Sequence, residues 1–260
     1  LSGTTLNIRR LAILSAACVQ IAIVGLASPA SSLDFLVRGI SLSSVSLVPG
    51  ADVSYLVVSE SFGATDSSFV ELRVLDHARG EFVLQIVTGP YPPVKKELVT
   101  VRLRLAEPVL SISSADEFGS CLKEILIREG TGRFRAPTAR ELEDLDIERL
   151  FLRPSEGTER LSLGEEEIAS PAGAFSCRGS RISWKQTRPV DLGGIPGELV
   201  DQETSTVWIS PLVPLWGLVK SSVEERSFTT VSGAETAPGS KRATVTESIL
   251  ISFKKPRGRP

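Results

Sequence analysis

Imidazole chemistry has a single candidate in this chain, because His77 is the only histidine. It lies in Asp76-His-Ala-Arg-Gly80, an acid-started and glycine-ended segment that suits a hairpin loop, whereas a serine or cysteine triad needs its base oriented by a third group on a rigid element. No G-x-S-x-G, H-E-x-x-H, Walker or paired-cysteine zinc spacing occurs. Glu129-Gly-Thr-Gly132 contains a G-x-G, but it lacks the third glycine and the strand-to-helix setting of a dinucleotide site, so it reads as a turn. The acids Glu141, Glu143, Asp144 and Asp146, and the run Glu165-Glu-Glu167, have no ligand-loop spacing for a cation. Those on a helix N-terminus are favoured there in any case. A carboxylate pair for glycoside cleavage would depend on a separation in space that sequence does not give. The expectation is a protein that is not an enzyme, with no cofactor and no metal site.

Binding chemistry has better candidates. The stretch from Glu203 to Lys220 holds Trp208 and Trp216, two of the three tryptophans. Thr204 to Ser210 is β-branched and reads as a strand. Pro211 and Pro214 then remove backbone donors, so a regular strand cannot continue, and Gly217 permits an unusual backbone angle before an extended pattern resumes. Trp184, Trp208, Leu215 and Trp216 are the candidate ligand-binding residues; the alternative is that the aromatics pack a structural corner.

Around these residues the chain alternates as half-buried strands do. Val53, Tyr55 and Val57, then Val70, Leu72 and Val74, then Phe82, Leu84 and Ile86 each mark one apolar face. In Leu98 to Leu105, Val99, Val101, Leu103 and Leu105 point one way while Thr100, Arg102 and Arg104 point the other. That is the pattern of an antiparallel sheet with one solvated face. Further strands are predicted near residues 109–113, 121–128, 147–152, 160–168, 174–184, 204–210, 217–230 and 243–253. The breaks between early strands are short, as in Thr88-Gly-Pro-Tyr-Pro-Pro93, which predicts meander connectivity. Long polar loops are predicted at 186–202 and 232–242, where a binding rim would sit. One short helix is predicted over 137–146, with Thr138 and Glu141 as a capping box. The fold class is mainly β, a strongly curved antiparallel sheet or unclosed barrel of about ten to twelve strands.

The chain carries 29 basic and 31 acidic residues, for a net charge of −2, which argues against a nucleic-acid partner. Basic Asn7-Ile-Arg-Arg10, uncharged Leu11 to Ala27 and small Ala27-Ser-Pro-Ala-Ser-Ser32 follow in the order of a secretory signal. Residues 1–32 are thus a signal peptide or an uncleaved membrane anchor, and either places the rest outside the cytoplasm, secreted or anchored. Residues 33–48 form a mature N-terminal segment or spacer, 49–253 a single β domain, and 254–260 a basic tail with the composition of a disordered terminus. A membrane surface could be met through 11–27, if uncleaved, or through that tail. Outside the signal region Cys121 and Cys177 remain, an even count where disulfides persist. They either pair or stand as two separate buried thiols.

Ser170-Pro-Ala-Gly-Ala-Phe-Ser-Cys-Arg178 followed by Thr206-Val-Trp-Ile-Ser-Pro-Leu-Val-Pro-Leu-Trp-Gly-Leu-Val-Lys220 resembles a pattern of uncharacterised exported prokaryotic proteins. These are similar in turn to the lipoprotein-carrier superfamily of LolA and LppX type, an unclosed half-barrel. The resemblance implies a cell-envelope protein that binds a lipid, an acyl chain or a lipidated protein on the concave face of its sheet. It implies no particular site residue. The alternative function is a structural or interaction protein of the envelope.

Overall fold

The computed structural model describes residues 48–61, 63–78, 81–106, 120–141, 158–191, 194–231, 234–235 and 242–255. The signal region, the spacer up to residue 47, the strands expected near 109–113 and 147–152, and the tail from 256 lie outside them.

Alternating sequence becomes strand wherever one face can be buried. The first half is β1 (Asp52–Ser61), β2 (Ala64–Ala78), β3 (Glu81–Pro90), β4 (Val99–Ala106) and β5 (Leu122–Glu129). The second half is β6 (Glu159–Ser170), β7 (Gly173–Asp191), β8 (Pro196–Ile209), β9 (Leu218–Val231), the two-residue β10 (Ala234–Glu235) and β11 (Arg242–Lys254). All pairs are antiparallel, in the order β5-β4-β3-β2-β1-β11-β9-β8-β7-β6, with β10 adding to β9. Each half is a meander, as expected, and pairing of β1 with β11 joins them in the middle of the sheet. The sheet is unclosed, with β5 and β6 at its two ends. Helix is confined, among the described residues, to the 3-10 turn Lys95–Glu97, a turn at 120–121 and one starting at Ala139.

Register decides which side chains meet. Val53 lies opposite Leu72, Leu72 opposite Ile86, Ile86 opposite Val101, and Val101 opposite Ile127. This row of five apolar side chains is fully buried. Burial of each stabilises by about 1.5–3 kcal/mol, and a slip of one residue would turn the whole row to the other face. On that other face Arg73 binds Asp52 at 2.8 Å, and Arg104 reaches Glu81 and Glu124 at 3.3 and 3.5 Å. Salt bridges this exposed set register more than they stabilise.

Three expectations are revised or refined. The polar segment 186–202 is not a long loop: β7 continues to Asp191, β8 begins at Pro196, and Gln186 pairs with Asp201 and Arg188 with Leu199. This hairpin reaches past the end of β6, whose pairing with β7 stops at Ser183, so among the described strands β7 has only β8 beside it there and Pro189 is tolerated. Most of its residues are exposed, which removes the apolar alternation that betrays a strand. Second, the segment around His77 is mainly strand, since β2 runs to Ala78 and only two residues separate it from β3. Third, Cys121 and Cys177 do not form a disulfide; both are free thiols. Cys121 is half-buried at the start of β5, and Cys177 is buried in β7 on the other half of the sheet.

The expected capping box at the helix start is present. Thr138 Oγ1 accepts from the Glu141 N–H at 3.3 Å, and Glu141 accepts from the Thr138 N–H at 2.7 Å. Arg135 also donates to both Glu141 oxygens at 2.7 Å, which holds the Glu141 carboxyl down to about 2.

Candidate functional site

The proline crossing forms a compact corner between β8 and β9. Ser210 N–H donates to the Gly217 carbonyl at 2.8 Å, and Val213 N–H returns to the Ser210 carbonyl at 3.2 Å. Gly217 sits at φ 75°, and a Cβ there would lie 2.8 Å from both Ile209 Cγ2 and the Ser210 carbonyl oxygen. Only glycine fits. Leu215 takes the left-handed φ of 67° without being glycine, held there because its side chain is buried in the core with Val213 and Trp216.

The structure brings two of the four sequence-predicted ligand residues together. Trp216 is 3% exposed and stacks on Tyr55 at 6.4 Å, with 18° between the rings. Leu215 is buried in the same cluster. Tyr55 donates its hydroxyl to the Leu218 carbonyl at 3.1 Å, which ties the corner across the chain to β1. Burial pushes the Tyr55 phenol far above its ordinary value, against a smaller lowering by its hydrogen bond to Trp216, so this hydroxyl stays neutral and structural.

Trp208 and Trp184 lie elsewhere. Gly179, Trp208 and Lys220 are register partners on the face opposite to that of Ser180 and Val207. The half-buried Trp208 donates to Glu166 at 3.1 Å, and Lys220 stands 5.5 Å from its ring. Trp184 shares the face of Ser180 but is four residues further along β7, roughly 13 Å away. It lies opposite the buried Glu203, which accepts from Ser205 at 2.7 Å, and its own buried indole N–H has no partner among the described residues.

Beside the corner a cavity of about 530 Å³ opens over the lower ends of β7 and β8. Small-ligand clefts commonly hold roughly 300–1,000 Å³. Its apolar side is Ile209, Pro211 and Leu212, the last 52% exposed. Its polar side is Ser176, Arg178 and Ser180 from β7 and Ser210 from the corner. Ser176 and Arg178 are exposed and alternate with the buried core residues Phe175 and Cys177, so the polar wall stands on the face of β7 that Ser180 shares with Val207.

Two features of this cavity bear on ligands. Ser210 is fully buried, yet its Oγ has no hydrogen-bond partner among the described residues. A hydroxyl left so costs about 1–3 kcal/mol, which a ligand acceptor would recover. Arg178 is exposed at the rim and makes no salt bridge among the described residues; Glu165 lies opposite it across β6 and β7. Cys177 also lines the cavity, but burial pushes its thiol up, away from the nucleophilic thiolate. The lining holds no histidine, and no group of three or more metal-ligating side chains occurs among the described residues.

Sequence reasoning selected the corner and missed this cavity beside it. Ser176 and Arg178 were legible only as alternate residues of a strand, and Ser210 only as a strand end.

The fold defines a mainly β protein built on one unclosed antiparallel sheet. No protein-family model matches the chain, and no curated protein matches it. Similar solved structures include a Bacteroides fragilis protein with a YmcC-like fold, at 11% identity and a TM-score of 0.35, covering 82% of this chain and 99% of that one. A DUF1329 family protein from Desulfovibrio piger is 9% identical with a TM-score of 0.29, covering 89% and 93%. LprF from Mycobacterium bovis is 12% identical with a TM-score of 0.26, covering 91% and 98%. Likeness at this level carries no function from those proteins to this chain.

Proposed function

We propose that this chain is a non-catalytic binding module outside the cytoplasm, which holds one amphiphile in the cavity beside the proline corner. The observation that carries the reading is the buried, unpartnered Ser210 hydroxyl lining a cavity that has an apolar wall and an arginine at its rim. An acyl chain lies along Ile209, Pro211 and Leu212. The polar head accepts from Ser210 and Arg178, with Ser176 and Ser180 completing the polar wall. A charge-assisted hydrogen bond contributes about 1.5–3 kcal/mol, so the arginine outranks the serines in setting affinity. The location rests on the basic, apolar and small-residue order of residues 7–32.

A second reading draws on the corner itself. Trp216 and Leu215 fill the core face where a lipid carrier would need an open cavity, which suits a structural envelope protein with no small ligand. Titration with palmitate separates the two. Binding is expected to be saturable and to weaken about tenfold or more in Arg178→Gln. Leu212→Asp is expected to weaken it as well, with the fold of both variants unchanged. Absence of saturable binding, or binding unmoved by both substitutions, would overturn the module reading and favour the structural one.

A further inference from the structure

The two ends of the sheet differ in charge. At the β6 end the exposed Glu159, Glu165, Glu166 and Glu167 are accompanied by the exposed Arg160 and by Arg178 and Arg181 of β7. At the other end, β3 and β4 are joined by an exposed loop in which an apolar block, Tyr91-Pro-Pro-Val94, is followed by Lys95 and Lys96 and then by the exposed Glu97. Tyr91 and Val94 are each 45% exposed, among the largest apolar groups left in water. The loop is not a loose excursion. Gly130 N–H donates to the Leu98 carbonyl at 2.7 Å, and the same glycine, at φ 52°, comes so near Lys96 that a Cβ would lie 2.8 Å from its carbonyl oxygen. The turn after β5 therefore braces the loop.

That turn brings in a further cationic group. Arg102 and Arg128 are diagonal neighbours on β4 and β5, on the face away from the core, and both guanidiniums lie against the Phe134 ring, at 4.0 and 4.7 Å from its centroid. Arg102 donates to Gln85 at 2.9 Å and Arg128 to Thr100 at 3.2 Å, both neutral acceptors. Among the described residues neither arginine has a carboxylate partner, and the buried Arg128 Nε–H has no acceptor. Lys95, Lys96 and Arg133 are exposed and make no salt bridge there either. Two guanidiniums against one ring repel each other, and burial with Arg128 nearby lowers the pKa of Arg102. An anion alongside removes both costs.

We propose that the β3–β4 loop and the Arg102–Phe134–Arg128 cluster form a docking edge for an anionic lipid bilayer surface. Tyr91 and Val94 enter the interfacial layer, where an aromatic with one polar end is favoured. Lys95, Lys96 and Arg133 lie over the headgroups, and Arg102 and Arg128 take phosphate oxygens. This docking does not depend on the cavity being occupied.

The test is partitioning of the full chain onto vesicles of equal parts phosphatidylglycerol and phosphatidylcholine, compared with phosphatidylcholine alone. Binding is expected to favour the anionic vesicles and to weaken with salt. Lys95→Gln with Lys96→Gln should lower partitioning onto anionic vesicles by about 30-fold, and Tyr91→Ser with Val94→Ser should lower it also. Circular dichroism checks that the fold is kept, and all four positions are exposed. Residues 1–47 and the C-terminal tail are identical in every variant, so any loss reads the loop. Equal binding to both vesicle types, no binding to either, or anionic binding unmoved by the lysine pair would each overturn the proposal. So would retention on an acidic protein or polymer by a chain that ignores vesicles.

Discussion

Replacing Trp216 with alanine is the sharpest test of the corner's role. The indole is 3% exposed, packed in the core and stacked on Tyr55 at 6.4 Å. Truncating a buried aromatic of this size costs about 3–5 kcal/mol, and an aromatic pair adds about 0.5–1.5 kcal/mol that the substitution also forfeits. The neighbours can collapse only partly, because Gly217 and Leu215 hold the backbone at fixed left-handed angles. A fall of about 4 kcal/mol is therefore expected, a drop in melting temperature of roughly 8–16 °C for a chain of this size. Urea titration followed by far-ultraviolet circular dichroism measures it, with an unchanged m-value showing that the denatured state is the same. Trp216→Phe should lose much less. A loss below about 1 kcal/mol in Trp216→Ala would refute the reasoning, since a residue that anchors the core cannot be removed so lightly.

Gly217→Ala should destabilise by about 1–3 kcal/mol in the same titration, through its positive φ and the 2.8 Å approach to Ser210 and Ile209; a neutral result would mean that the corner relaxes. Thiol labelling of denatured, unreduced protein should find both Cys121 and Cys177 reactive, and protection of the pair would contradict two free thiols. Glu141 has a depressed folded-state pKa of about 2, so its contribution to the 135–141 turn is complete above the unfolded carboxylate range and is lost as pH falls towards 2. Carboxyl chemical shifts across that window check it, and a midpoint near the ordinary glutamate value would contradict the Arg135 pairing.

Strands with one buried face were legible because burial writes itself into the sequence with a period of two. Val99, Val101, Leu103 and Leu105 could be assigned to one face from their alternation alone, and all four are buried. The 186–202 hairpin left no such mark, since strands that project beyond the core are polar on both sides. The corner was legible through Pro211, Pro214 and Gly217, which forbid regular strand. Which aromatics meet there was not, because a tryptophan reads the same whether it faces Tyr55, as Trp216 does, or Glu166, as Trp208 does. The basic cluster was the least legible of all. Arg102 and Arg128 read as ordinary solvated alternates, and only the β4–β5 register and the returning Phe134 set them against one ring.

The central claim is that the cavity beside the corner holds an amphiphile, and ligand-induced amide shifts test it directly. Isotope-labelled protein is titrated with palmitate and followed residue by residue. Saturable shifts are expected to cluster on Ser176, Arg178, Ser180, Ile209, Ser210 and Leu212, and to spare Trp184, the Trp216–Tyr55 stack and the face carrying Arg102. Shifts centred on Trp184 or Trp216, or none that saturate, would contradict the account.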